Sequence, residues 1–312
     1  MISAVADRKG PVIWLTGCVH GDEVGGTAVI HEVFRFIQKN DLIRGSVYAL
    51  PILNPLGFES TTRQIPLSHE DLNRSFPGNS KGSFAERVAR RVFNTICETS
   101  PNLVIDLHND WRQSIPYVLV DHPGCVSNQT VFETARTLAE KSGLLVVEDE
   151  SGEVMSGMEH TLSFNLCMAG IPAITFELGE SQIVNEIDVH TGLQAILRIL
   201  NSFGMLTKGS FAEDEFQPAS GKYSYSDQPL AQTSGLLRFA IQPGAIVKPG
   251  TVMARVYDAF GKVQETIRAE SRGIVLGHTD SSLCYPGKSV VAYAIPDEAR
   301  RPATEPEKNT AG

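Results

Sequence analysis

The chain has 312 residues, 42% hydrophobic and 20% charged, which is ordinary for a globular protein with a sizeable core and long enough for two domains. Its formal net charge of −9 and pI near 5.4 argue against nucleic acid or an anionic membrane as the main partner. Residues 1–10 lack the apolar stretch of a secretory signal, no apolar run is long enough to span a bilayer, and the cysteines at 18, 97, 125, 167 and 284 form no CxxC. The expectation is a cytoplasmic protein with reduced thiols.

From residue 11 to about 206, short β-rich runs alternate with longer helical ones. Strands are predicted at 11–16, 46–53, 103–107, 116–121, 144–148 and 172–177, and helices at 24–38, 84–98, 128–141, 159–169 and 187–203. The alternation implies an α/β fold, a parallel or mixed sheet with helices on both faces. In such a sheet, ligands collect beyond the carboxyl ends of the strands.

The first strand runs into Gly17-Cys18-Val19-His20-Gly21-Asp22-Glu23, where His20 and Glu23 stand three residues apart. An imidazole nitrogen and a carboxylate oxygen both suit Zn²⁺ and bind one ion together if a third ligand arrives from elsewhere. Cys18 reads as a small buried thiol, although a thiolate there could also ligate zinc. Next comes a polar, irregular segment holding Asn54-Pro55, Arg63 and Asp71-Leu72-Asn73-Arg74-Ser75-Phe76-Pro77-Gly78. Long irregular loops are uncommon unless functional, and its arginines suit either solvation or the clamping of an anion. His108 directly follows the strand at 103–107 and is the candidate third ligand. Glu177 closes the strand at 172–177, where a zinc hydrolase needs a carboxylate to take a proton from the attacking water and hand it to the leaving amine. Glu180, past Gly179, is the competing candidate.

Residues 207–220 turn polar and acidic and read as a linker. Residues 221–295 look like a small all-β domain, and 296–312 a flexible tail. Within 221–295, the stretch from Gly235-Leu236-Leu237 to Pro249-Gly250 is echoed by Gly273-Ile274-Val275 to Pro286-Gly287. The two halves resemble the barrel-sandwich hybrid of biotinyl and lipoyl carriers, but Lys262 lacks the flanking residues of a modified lysine.

HxxE, NP, an isolated Arg, DLNR-x-FPG, DLH and FELG together resemble the succinylglutamate desuccinylase/aspartoacylase family, within the zinc carboxypeptidase-like hydrolases. The resemblance implies a zinc-carboxypeptidase-like mixed sheet flanked by helices, with a smaller C-terminal barrel-sandwich-like β domain. It implies one Zn²⁺ per chain on His20, Glu23 and His108, with Arg63 polarising the scissile carbonyl and Glu177 acting as base and then acid. Asn73 and Arg74 would bind a substrate carboxylate. The C-terminal part would contribute a tyrosine at the mouth, for which Tyr285 is the candidate, with Tyr223 and Tyr225 also available. The segment from Arg63 to Asn73, with Pro66 and His69 inside it, is longer than in aspartoacylase proper and closer to the bacterial branch that includes N-acetyl-diaminobutyrate deacetylases. It leaves acyl and amine specificity open.

The expected activity is zinc-dependent hydrolysis of the amide bond in a small, carboxylate-bearing N-acyl amino acid or related compound, with no nucleic-acid or membrane partner and room for a homo-oligomer. The alternatives are a zinc carboxypeptidase acting on short peptides and a non-catalytic metal-binding or carrier module. His31, His69, His122, His160, His190 and His278 are read as structural or surface residues.

Overall fold

The computed structural model describes residues 1–111, 113–121, 129–149, 158–211, 221–279 and 281–299. Most of the expected linker (212–220), most of the expected tail (300–312), His122 and Cys125 lie outside the described residues.

The first part of the chain forms β1 (Ile2–Val5), β2 (Val12–Gly17), α1 (Gly25–Asn40), β3 (Ser46–Leu50), α2 (Pro55–Ser60), α3 (Phe84–Cys97) and β4 (Leu103–His108). Then follow β5 (Gln113–Ser114), β6 (Tyr117–Val120), α4 (Gln129–Lys141), β7 (Leu145–Glu148), α5 (Leu162–Met168), β8 (Ala173–Glu177) and α6 (Glu186–Ser202). The remaining strands are β9 (Tyr223–Ser226), β10 (Gly235–Phe239), β11 (Ile246–Val247), β12 (Val252–Tyr257), β13 (Val263–Arg268), β14 (Gly273–His278), β15 (Leu283–Cys284) and β16 (Val291–Pro296).

Local chemistry accounts for the helix starts. Ser83 and Glu86 form a reciprocal capping box on α3, and Asn54, Thr161 and Asn185 each accept a backbone N–H at the start of α2, α5 and α6. The helix expected at 159–169 divides into a 3₁₀ turn, Met158–His160, and α5, because Thr161 caps the latter.

One large sheet has the order β1-β3-β2-β4-β8-β6-β7-β9-β16-β14-β11, with β5 on β14, and a second sheet has the order β13-β12-β10-β15. The strands β3, β2, β4 and β8 are parallel neighbours, whereas β6 runs antiparallel to β8 and β7 runs parallel to β6. The β-rich C-terminal part is therefore continuous with the main sheet: β9 pairs with β7 in parallel through Val147 and Tyr223, and β16 and β14 extend it. This pairing covers what would otherwise be an exposed strand edge.

Period-two alternation sorts the main sheet into two faces. Ile13, Leu15, Ile105, Leu107, Val118, Val120, Ile174 and Phe176 pack with residues of α1, α4 and α6. Trp14, Val104 and Ala173 point the other way, with residues of α3 and α5. His108 and Glu177 continue this second face to the strand ends, each four residues beyond the apolar position of its strand, Val104 and Ala173. No helix among the described residues is long and apolar enough to cross a membrane.

Candidate active site

The turn after β2 brings His20 and Glu23 to the carboxyl end of the sheet. Gly21 sits where a Cβ would come within 1.9 Å of the Gly57 carbonyl carbon, and its N–H donates to the Thr62 carbonyl at 3.0 Å. Only glycine allows this approach, and it holds the segment carrying Arg63 against the turn.

Glu23 lies between the two histidines. His20 Nδ1 is 2.7 Å from Glu23 Oε1, and His108 Nδ1 is 2.9 Å from Glu23 Oε2. All three residues are buried, and one donor atom from each lies within 4.8 Å of the others, a spacing that one cation can bridge. Each imidazole is held from behind by a carboxylate. His108 Nε2 faces Asp106 Oδ2 at 3.0 Å, and Thr16 Oγ1 donates to the other oxygen of Asp106 at 2.6 Å. His20 Nε2 faces Asp71 Oδ1 at 3.2 Å. Both Nδ1 atoms are thereby directed to the cluster, as metal-ligating histidines require.

Burial opposes charge on Glu23, but the two histidines overcome it and hold the carboxyl well below its usual range. His108 titrates well above the ordinary histidine range, since Asp106 and Glu23 outweigh the effect of burial. Cys18 is turned away: its thiol donates to the carbonyls of His20 and Gly21, and burial, with Glu23 and Asp22 adding, pushes it up to about 12.

Asp71 connects the cluster to the irregular segment. Its Oδ1 accepts the Asn73 N–H at 2.8 Å, and its Oδ2 takes Arg63 Nε at 3.2 Å and Nη2 at 3.1 Å. Arg63 Nη1 reaches Glu23 Oε1 at 3.4 Å, so the guanidinium stands at the edge of the cluster. The Leu162 N–H donates to Asn73 Oδ1 at 2.9 Å, which leaves the Asn73 Nδ2 donors for the cavity. Arg74 donates to the Asn73 carbonyl at 2.9 Å.

His108 and Glu177 are register partners on β4 and β8. Glu177 Oε2 is buried with no hydrogen-bond partner. Burial, with the charge of Asp110 next, pushes its carboxyl well above the usual range against the opposing effect of His108. A carboxyl so placed is suited to trade protons.

His20, Glu23, Arg63, Asn73, Arg74, His108 and Glu177 all line one cavity of about 170 Å³. Glu180 is not among the lining residues; its carbonyl accepts from Asn109 Nδ2 at 2.9 Å. Tyr285 departs from expectation. It is 60% exposed, with Lys288 Nζ over its ring at 5.8 Å, and it does not line the cavity, because the turn carrying it faces solvent. The tyrosines in the field of Glu177 are Tyr117, which donates to Asp110 Oδ2 at 2.7 Å, and Tyr225 on β9. His69 is exposed and off the cavity, and His278 is buried and stacked on Phe239 at 3.9 Å.

Sequence reading missed Asp71 and Asp106 as holders of the imidazoles, although both stand inside the DLNR and DLH motifs. It also missed Asp121, which lines the cavity, and the nearby Asp149, for which no local motif exists.

Residues 9–203 match the succinylglutamate desuccinylase/aspartoacylase catalytic domain. The N-alpha-acetyl-L-2,4-diaminobutyric acid deacetylase of Halomonas elongata is 26% identical over 88% of this chain and 79% of its own length. A product-bound structure of the ectoine utilization protein EutE (DoeB) from Ruegeria pomeroyi is similar with TM-score 0.78 at 22% identity, over 93% of this chain and 87% of that one. An aspartoacylase family protein from Mesorhizobium loti follows with TM-score 0.77 at 19% identity, over 94% and 88%.

Proposed function

The chain belongs to the succinylglutamate desuccinylase/aspartoacylase family, a family of deacylases, and from that premise we propose that it is a zinc-dependent deacylase hydrolysing the amide bond of a small N-acyl amino acid. The observation that carries the reading is the buried His20, Glu23 and His108 donor set beside Glu177, whose Oε2 has no partner. Two histidines and one glutamate are a donor set of catalytic zinc sites, with one position left open.

His20, Glu23 and His108 would hold the zinc, which would supply Lewis acidity for the acyl oxygen and lower the pKa of water at the site toward neutrality. Glu177 accepts a proton from the attacking water at Oε2 and delivers it to the nitrogen of the leaving amine. Arg63 donates to the acyl oxygen as negative charge develops there. Arg74 and the Nδ2 group of Asn73 hold a substrate carboxylate. Asp71 and Asp106 keep both imidazoles aimed.

The small cavity favours an acylated amino acid over a longer peptide. The Halomonas relative is named for removing an acetyl group from an amino acid, which supports acetyl as the acyl group. As part of the same proposal, residues 1–206 form the catalytic part, 207–220 a linker and 221–295 a β-rich part, with 296–312 as a tail. The β-rich part has its own apolar cluster around Met253, Val256, Ile267 and Tyr293. A screen of the zinc-loaded protein against N-acetyl, N-succinyl and N-formyl amino acids tests the reading. Amine release from at least one class is expected, and none from any class contradicts it.

A further inference from the structure

Two surface features lie on opposite sides of the main sheet, outside the cavity. The first is an apolar knob where the chain passes from β8 to α6. Ile183, Val184 and Ile187 are 53%, 46% and 76% exposed, three large apolar side chains within five residues. Single exposed apolar residues are ordinary on a protein surface, whereas a cluster of them marks a contact. The knob is held in shape: the Gln182 N–H donates to the Asp22 carbonyl at 2.7 Å, and Asn185 caps α6 by accepting the Ile187 N–H at 3.0 Å. Glu186, between Asn185 and Ile187, is exposed as well.

The second feature is a trough along α3. Phe84, Val88 and Val92 recur every four residues and so form one stripe on the helix. They line two adjoining depressions of about 310 and 340 Å³, the first closed on its other side by Pro55 and Leu56. Phe84 remains 47% exposed. Arg87 and Arg91 stand beside the stripe at the second depression, and both are exposed. Like charges at this spacing work against a helix. Among the described residues, neither arginine has an ion pair to offset that cost, and neither does Glu186.

The two features are complementary in shape and charge. The knob is convex, apolar and acidic; the trough is concave, apolar and basic, on a chain whose formal net charge is −9. They are not available to each other within one chain. Residues of α6 pack on one face of the main sheet with Ile105 and Leu107, and residues of α3 pack on the other with Trp14 and Val104, so the sheet stands between them.

We infer that the trough along α3 receives the knob of a second copy of this chain, with Ile187 seated against Phe84, Val88 and Val92, and Glu186 paired with Arg87 or Arg91. Because knob and trough are different patches, the contact closes reciprocally into a dimer or around a ring. It uses no residue that lines the cavity, so it stands or falls separately from the deacylase reading.

Sedimentation equilibrium of the full chain over a wide concentration range tests the contact. A species larger than one chain is expected, dissociating more readily at high salt because the rim charges are screened. Ile187→Asp, and separately Val88→Asp, should weaken association by roughly 30-fold or more, the scale of a central anchor. Exposed charges give a second test that leaves the core untouched. Glu186→Arg alone, and Arg87→Glu with Arg91→Glu in another chain, should each weaken self-association by setting like charges together. An equimolar mixture of these two proteins should associate again, since every knob then meets a trough of opposite sign. A wild type that stays a single chain throughout, an oligomer that keeps its affinity in Ile187→Asp, or a mixture that associates no better than its components would overturn the inference.

Discussion

His108 and Glu177 face each other across the parallel pair β4 and β8, each as the last residue of its strand. Adjacent strands lie about 4.8 Å apart, so the backbone itself fixes the Glu177 carboxyl beside the His20, Glu23 and His108 cluster. Glu177→Gln preserves size and should retain metal while losing about 10²–10⁴-fold in turnover. Near-normal turnover by the variant would move the base to another residue, with Glu180 next in line.

The cluster depends on its outer carboxylates. Asp106→Asn removes the charge behind His108 Nε2 and should weaken zinc affinity about 10–100-fold, whereas His108→Ala should strip most of the metal. Metal analysis after dialysis against a chelator of graded strength reads both. Unchanged occupancy in folded His108→Ala would refute the ligand set.

Arg63 and Arg74 should separate kinetically. Arg63 stands at the edge of the cluster, 3.4 Å from Glu23, so Arg63→Ala should lower kcat by about 10²–10³-fold. Arg74→Ala should instead raise KM by about ten- to 150-fold for a free-acid substrate. Methyl esterification of that carboxylate should hurt the wild type similarly and make little difference to the variant.

Stability should depend on pH through the aspartate pair. Asp149 titrates near about 7 when folded, raised by burial and Asp121, against about 3.9 in an unfolded chain. A raised acid contributes stability that is fully present below the unfolded value and is lost as pH rises through the folded one. Asp149→Asn should therefore be more stable than the wild type at pH 8, by up to about 4 kcal/mol, and nearly equal to it at pH 4. Thermal denaturation at both pH values checks this. A variant equally destabilised at both would show that the carboxyl is satisfied in the fold.

That His20, Glu23, His108 and Glu177 meet in one cavity was legible because each follows or closes a strand that local β-patterning reveals. The α/β alternation located six of the eight strands and five of the six helices described up to α6 to within a few residues. Other features depend on tertiary pairing. Whether β6 runs with or against β8 has no local signature, yet that direction brings Asp121 to the cavity wall, and the parallel pairing of β6 with β7 sets it beside Asp149. The same holds for β9: residues 221–295 read as an independent β unit, but the edge of β7 takes up Tyr223–Ser226. Short elements also escaped. β1 is a mostly exposed edge strand, and α2 is a six-residue helix with Gly57 inside it. Tyr285 was chosen for its place before Pro286-Gly287, a turn signal that does not say which way the turn faces.

The central claim is tested most directly by stripping the protein of metal and titrating Zn²⁺ back while following hydrolysis of the best N-acetyl amino acid. The account predicts no turnover at zero equivalents, a linear rise to a plateau near one equivalent, and metal uptake without turnover in Glu177→Gln. Full turnover in the metal-free protein, or a plateau unchanged by Glu177→Gln, would contradict it.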